Sequence, residues 1–233
     1  MSIDSVVLGI GHRARHGKDT VAAEIIKRRS GNGPGWYDIR QYSFARELKE
    51  EVNKNAMMIG GMPKLFDPIY RTEGSGYMQT NGNLLQLPDW VQYEPQPDMS
   101  DPLCPYGKQR TLLQWWGMEY RRSVDPYYWV KKLAERLERE KPEIALLTDM
   151  RFPNEMAFCK EYGETIKVER RNPDGTLYIA PGILPHSSEE ALANVPDNQW
   201  SGILTNDGTL EELKEAAVIM FDMLMDKVQG VNA

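Results

Sequence analysis

A chain of 233 residues, 41% hydrophobic and 27% charged, carries enough apolar material for a sizeable core, which excludes disorder as its main state. No apolar run approaches the roughly 20 residues that span a bilayer, and no basic region precedes the apolar N-terminal stretch. Two cysteines, Cys104 and Cys159, are too few for a disulfide framework or a Cys-rich zinc site, and a net charge of −6 argues against a nucleic-acid coat. The expectation is a soluble, cytoplasmic protein without membrane attachment or stable nucleic-acid binding.

Residues 5–11 (SVVLGIG) form a nearly continuous apolar run, the pattern of a strand buried on both faces of a parallel sheet. From Lys18 to Arg29 the period becomes helical, with Val21, Ala22, Ile25 and Ile26 on one side. Gly31, Gly33, Pro34 and Gly35 break the chain before a strand predicted at 37–43 and a helix over 44–56. Residues 57–108 carry seven prolines and no helical period, which predicts a loop-rich insertion, either a static one or a mobile cap over a site. Helices are predicted over 109–123 and 127–140, then an apolar strand, Glu143–Thr148, ending at Asp149. A helix over 153–162 and a strand near 164–170 follow. Asn172-Pro173-Asp174-Gly175 is a strong turn signal and predicts a β-hairpin. Ser187 or Ser188 is placed to cap a short helix, and a strand at 202–205 and a helix over 208–228 complete the chain. Strand–helix alternation of this kind predicts a doubly wound α/β fold with a mostly parallel sheet flanked by helices.

The most specific local feature is Gly9-Ile-Gly-His-Arg-Ala-Arg-His-Gly-Lys-Asp-Thr20, set between the first strand and the first helix. This is the context of a P-loop, in which backbone N–H groups and a lysine surround phosphates. Two positions depart from the G-x-x-x-x-G-K-[ST] pattern: His12 stands at the first glycine and Asp19 at the hydroxyl that meets Mg²⁺, with Thr20 behind it. The alternative is an ordinary glycine-containing turn, but Arg13, Arg15 and Lys18 give it a cationic character such a turn does not need. Residues 12–29 as a whole hold six Lys/Arg against two Asp/Glu, whereas residues 186–226 hold nine Asp/Glu against one Lys.

Further segments stand in a telling order: Phe44-Ala45 with Leu48-Lys49, then Arg110-Thr-Leu-Leu-Gln114-Trp115-Trp116-Gly117, then Asp125-Pro126 with Trp129-Val130. After these come Asp149-Met-Arg151-Phe-Pro-Asn-Glu155, His186-Ser-Ser-Glu189 and Asn206-Asp-Gly-Thr-Leu210. Together with Gly17-Lys-Asp-Thr20, this set resembles the deoxynucleoside monophosphate kinases of tailed bacteriophages. The resemblance implies a single P-loop kinase domain over 1–233, a substrate-binding cap within it at 57–123 and a hairpin lid at 171–186. It implies transfer of the γ-phosphoryl group of ATP to a deoxynucleoside monophosphate with Mg²⁺, in the host cytoplasm if the chain is phage-encoded.

In that reading Lys18, Arg151 and Asp149 are catalytic. ATP is bound by Arg13, Ala14, Arg15, His16, Gly17, Lys18, Asp19, Thr20, Arg170, Arg171 and Asn206, and Mg²⁺ by Asp19 and Asp149. The acceptor is bound by Lys49, Arg110, Gln114, Trp115, Arg122, Trp129, Arg151 and Glu155. Each has a plainer reading: Asp149 as a cap for the following helix, the tryptophans as core, the arginines as solvated, Asn206-Asp207 as an ordinary turn. His186 and Glu189 order a lid or cap a helix. The apolar helix faces near 127–140 and 213–228 fit either core or a homodimer interface. A kinase for another small metabolite and a non-catalytic nucleotide-binding module are the rival functions.

Overall fold

The computed structural model describes residues 3–33, 35–57, 76–80, 83–91, 98–104, 107–180 and 191–230. Ser187, Ser188, His186 and Glu189, and most of the 57–108 insertion, lie outside them. The chain divides into two compact units, Met1–Phe44 with Val130–Ala233, and Ala45–Trp129. The 57–123 stretch read as a cap falls within the second.

The first unit is built on a sheet of five parallel strands, β1 (Val6–Gly11), β2 (Ile39–Tyr42), β5 (Ile144–Met150), β6 (Gly163–Arg170) and β7 (Gly202–Asn206), in the order β2-β5-β1-β6-β7. The continuous apolar run thus becomes the central strand, flanked by the consecutive strands β5 and β6. Their connection passes over β1, which makes the C-terminal end of β1 the point where an open α/β sheet places its ligands.

Alternation along β1 separates its two faces. Leu8 and Ile10 enter a cluster with Val21, Ala22 and Ile25 of α1 (Lys18–Arg29), and Leu213, Ala217 and Phe221 of the C-terminal helix α6 (Leu210–Val228). The opposite face is built on glycine. A Cβ at Gly9 would lie 2.6 Å from Cys159 Sγ, and one at Gly11 would lie 2.8 Å from the Trp200 ring. Helix α5 (Pro153–Tyr162), which carries Cys159, therefore packs directly on the β1 backbone. α6 starts with a reciprocal cap: Thr209 Oγ1 accepts from the Glu212 N–H at 3.2 Å, and Glu212 accepts from the Thr209 N–H at 2.7 Å.

In the second unit, α2 (Phe44–Met57, beginning one residue earlier) contributes most of its length, followed by the antiparallel pair β3 (Gly76–Thr80) and β4 (Asn83–Leu87). The helix predicted over 109–123 is α-helical only as α3 (Arg110–Trp115); Trp116–Arg122 is π-helical. Helix α4 (Tyr128–Glu140) then leads back to the sheet. The predicted hairpin is short: Gly175 N–H donates to Asn172 C=O at 2.9 Å, Asn172 N–H to Thr176 C=O at 2.8 Å and Tyr178 N–H to Arg170 C=O at 2.9 Å, with one bridge between Arg171 and Leu177. Among the described residues, no helix is long and apolar enough to cross a membrane.

The tightest backbone approach in the sheet is at Gly163, the first residue of β6, where a Cβ would come 2.3 Å from the Val7 carbonyl oxygen. Because the obstacle is main chain, Gly163→Ala has to displace β6 from β1. We expect a loss of about 2–3 kcal/mol in unfolding free energy, read from denaturant midpoints.

Candidate functional site

The loop 12–17 leaves the sheet at the C-terminal end of β1, beside Met150 of β5 and Lys167 of β6. Three of its residues have left-handed backbone: His12 (φ 97°), Arg15 (φ 59°) and Gly17 (φ 105°). These positions curl the chain back on itself, and the one at His12 explains why a glycine is the usual occupant there. Lys18 Nζ closes the curl by donating to the carbonyls of Arg13 (2.5 Å) and His12 (3.3 Å). Asn206, at the end of β7, donates from Nδ2 to the His16 carbonyl at 2.9 Å and also packs against Gly17, where a Cβ would be 2.9 Å away. Ala14 and Thr20 are half-buried, and Arg15 and Asp19 are exposed.

The two histidines of the loop are buried and stand edge to face, 5.2 Å between centroids. Burial, then the nearby Lys167 charge, pushes the His12 imidazole down to about 4; burial likewise holds His16 below the usual range. Both rings are therefore neutral at physiological pH. Beside them, Lys167 Nζ bridges Glu169 (2.6 Å) and Asp197 (2.9 Å), and Arg171 pairs with Glu169. This network joins the two ends of the excursion between β6 and β7.

A cleft of about 490 Å³ opens at the C-terminal ends of β6 and β7. It is lined by Arg170 and Arg171, by the 172–175 turn and by Asn206 with Asp207 and Gly208. The Arg170 guanidinium lies 4.3 Å above the Tyr178 ring. Asn206 is thus shared between the cleft and the loop, so Arg170, Arg171, Asn206 and the 12–18 loop meet in one place.

Asp149 lies at the same sheet edge. Its carboxylate accepts from the Ser43 hydroxyl and from the Phe44 N–H, both at 3.0 Å. It therefore caps the start of α2 rather than α5, the helix that follows it. The turn into α5 is shaped by Glu155, which is 1% exposed. Its Oε2 accepts from the N–H groups of Arg151 (2.7 Å) and Phe152 (3.1 Å). Glu155 is spent on holding the backbone that carries Arg151, a role its position in the D-x-R-F-P-N-E segment does not announce.

The remaining sequence-derived residues lie in the second unit. Lys49 is paired with Asp101 at 2.6 Å, and that hydrogen bond holds the Asp101 carboxyl below its usual range. Trp115 and Trp129 are buried: Trp115 stacks on Tyr120 at 5.4 Å, and Trp129 Nε1 donates to the Gly117 carbonyl at 3.1 Å. Both rings are packed into the fold. Arg110 is exposed at the first turn of α3; Gln114 and Arg122 are half-buried, Arg122 closing the π-helical segment.

The residue that organises this unit is Glu51 of α2. It accepts from Trp116 Nε1 (2.9 Å), Arg121 Nε (2.6 Å) and the Tyr128 hydroxyl (2.6 Å). Residues 116 and 121 would diverge by about 140° around an α-helix. The π-helix links residues five apart, which lets one carboxylate hold both. Arg121 in turn lies over the rings of Trp116, Tyr120 and Tyr128 at 4.7–5.4 Å. The available sequence signal was a carboxylate between Leu48 and Val52 on the inward stripe of α2.

Among the described residues, no group of three or more His, Cys, Asp or Glu side chains is arranged to hold a metal ion. Magnesium asks for less, since it retains waters and takes one or two carboxylates together with phosphate oxygens. Asp19 is exposed in the first turn of α1, and Asp149 is tied to Ser43 and Phe44.

No family model matches the chain. It is similar to the deoxynucleoside-5'-monophosphate kinase of Escherichia phage T5, with 26% identity over 185 residues, 67% of this chain and 72% of that protein. The likeness supports phosphotransfer of the nucleotide-kinase kind at a general level.

Two expectations follow. With an unfolded-state value near 6.5 and a folded value of about 4, His12 is neutral in both states above pH 6.5. As pH falls from 6.5 to 4 the unfolded chain takes up the proton first, so stability falls, by up to about 3 kcal/mol from this residue. His12→Gly, which also suits the left-handed backbone, should show a shallower loss of melting temperature across that window. Glu51→Ala removes the acceptor shared by the buried Trp116 and the half-buried Arg121 and Tyr128 and should cost about 1–3 kcal/mol, with a shift in tryptophan fluorescence.

Proposed function

We propose that the protein is an ATP-dependent deoxynucleoside monophosphate kinase. The observation that carries the reading is the curled, lysine-closed loop 12–18 at the end of the central strand, sharing Asn206 with a cleft bordered by two arginines. A loop for the phosphates beside a polar cleft for the rest of the molecule fits a nucleoside triphosphate donor. The likeness to the phage T5 enzyme supplies the acceptor class.

Phosphoryl transfer asks for positioning and charge neutralisation more than for covalent chemistry. The Lys18 ammonium exchanges its loop carbonyls for the β- and γ-phosphate oxygens, and Arg13 and Arg15 add positive potential. The N–H groups of residues 14–20 surround the same phosphates. Arg170, Arg171 and Asn206 hold the base and ribose side of ATP in the cleft. An oxygen of the acceptor monophosphate attacks the γ-phosphorus, the bond to the β-phosphate oxygen breaks, and ADP and a deoxynucleoside diphosphate leave. Arg151 grips the acceptor phosphate, where its planar fork offers two parallel hydrogen bonds. Arg110, Gln114, Arg122 and Lys49 are the further acceptor-binding candidates that the resemblance gives. Mg²⁺, when bound, would be held by Asp19 and Asp149 and would neutralise charge on the phosphate oxygens.

Lys18→Ala should lower turnover by about 100-fold or more while leaving the melting temperature within a few degrees. ADP release measured over the four deoxynucleoside monophosphates, their ribo counterparts and a set of small metabolites identifies the acceptor. Turnover on metabolites alone would replace this reading with a metabolite kinase. ATP binding without turnover on any acceptor would replace it with a binding module.

A further inference from the structure

β1 leaves the sheet after Gly11, opposite Lys167. Next along β6, the N–H of Arg170 donates to His16 Nδ1 at 3.0 Å, and the carbonyl of Val168 lies 3.3 Å from the same nitrogen. An imidazole stands where the next residue of a strand would have been. Its proton can be assigned from its partners. The Arg170 N–H can only donate, so Nδ1 accepts; the Tyr178 carbonyl, 2.9 Å from Nε2, can only accept, so Nε2 donates. The ring is fully buried, and burial and the nearby Lys18 and Arg13 charges favour this neutral form.

Arg170 and Tyr178 are the two arms of the 172–175 turn, joined by the Tyr178 N–H donating to the Arg170 carbonyl at 2.9 Å. One side chain of the loop therefore grips both arms of the turn, and its own carbonyl is gripped by Asn206. We propose that His16 is a positioning residue that latches the 12–17 loop to the 170–178 turn, so that the phosphate side and the cleft side of a bound nucleoside triphosphate form one preformed surface. The proposal rests on the donor-nucleotide reading above. Its energetic content is preorganisation: without the latch, a ligand that spans both sides has to order the turn as it binds. A ligand that touches only the loop does not, because Lys18 and Asn206 still hold the loop closed.

The test compares ATP with inorganic triphosphate by calorimetry on wild type, His16→Ala, His16→Leu and His16→Asn. Amide hydrogen exchange at Arg170 is followed in the nucleotide-free proteins. The latch predicts ATP affinity about tenfold weaker in the alanine and leucine variants, triphosphate affinity changed less than threefold, and Arg170 exchange about tenfold faster. His16→Asn keeps an acceptor at the Nδ1 position and should recover much of the Arg170 protection. If the alanine variant does not fold, the leucine and asparagine variants carry the comparison. An equal loss for both ligands, or no loss for either, overturns the proposal. If wild type binds neither ligand, the donor-nucleotide reading fails instead. The latch is then decided by Arg170 exchange alone, unchanged protection in the leucine variant being the result that removes it.

Discussion

The structure of the first unit depends on one asymmetry in its central strand. On one face β1 presents Leu8 and Ile10 to α1 and α6; on the other it presents Gly9 and Gly11, whose missing side chains are replaced by Cys159 and Trp200. Close packing on the glycine face brings α5 onto the sheet and leaves β1 little freedom in where it ends. The loop 12–17 therefore starts from a fixed point, and its left-handed residues turn it into the space between β5 and β6. The ties to Asn206, Arg170 and Tyr178 follow from that placement.

Charge is arranged around the same point. Not all of the basic segment 12–29 serves the loop. At the far end of α1, Arg28 is bonded to Glu24 and Glu215, and Arg29 to Asp222 of α6. These pairs are partly exposed and contribute little stability each. Their consequence is one of allocation: part of the acidic C-terminal segment is matched to the far end of α1, away from the loop that carries Arg13, Arg15 and Lys18. The net charge of the chain conceals this division.

How readily each feature could be read depended on whether its cause was local. The five parallel strands, α1, α5 and α6 follow from side-chain period, and the cationic loop 12–18 from a glycine–lysine pair between a buried strand and a helix, whereas β3 and β4 lie in a stretch that reads as loop. The π-helix does not follow from local pattern, because its cause is Glu51, more than sixty residues upstream. Lys49 read as an open cation because Asp101, its partner, is equally remote in sequence. Asp149 had the right edge but the wrong helix: the N–H it caps belongs to Phe44, about a hundred residues earlier. Trp115 and Trp129, for which core was the plainer reading, are buried.

By itself, the sequence determined the alternation of strands and helices, the burial of its first strand on both faces and the place where a cationic loop interrupts them. Those depend on side-chain period and backbone conformation, which act over a few residues. Only the tertiary structure decided which polar groups are spent on the fold. His16 became a latch because β1 stops at Gly11, and Glu155 a backbone clamp because it is buried beneath the turn carrying Arg151. A hydrogen-bonding group satisfies its nearest partner in space, and that partner is set by packing rather than by order along the chain.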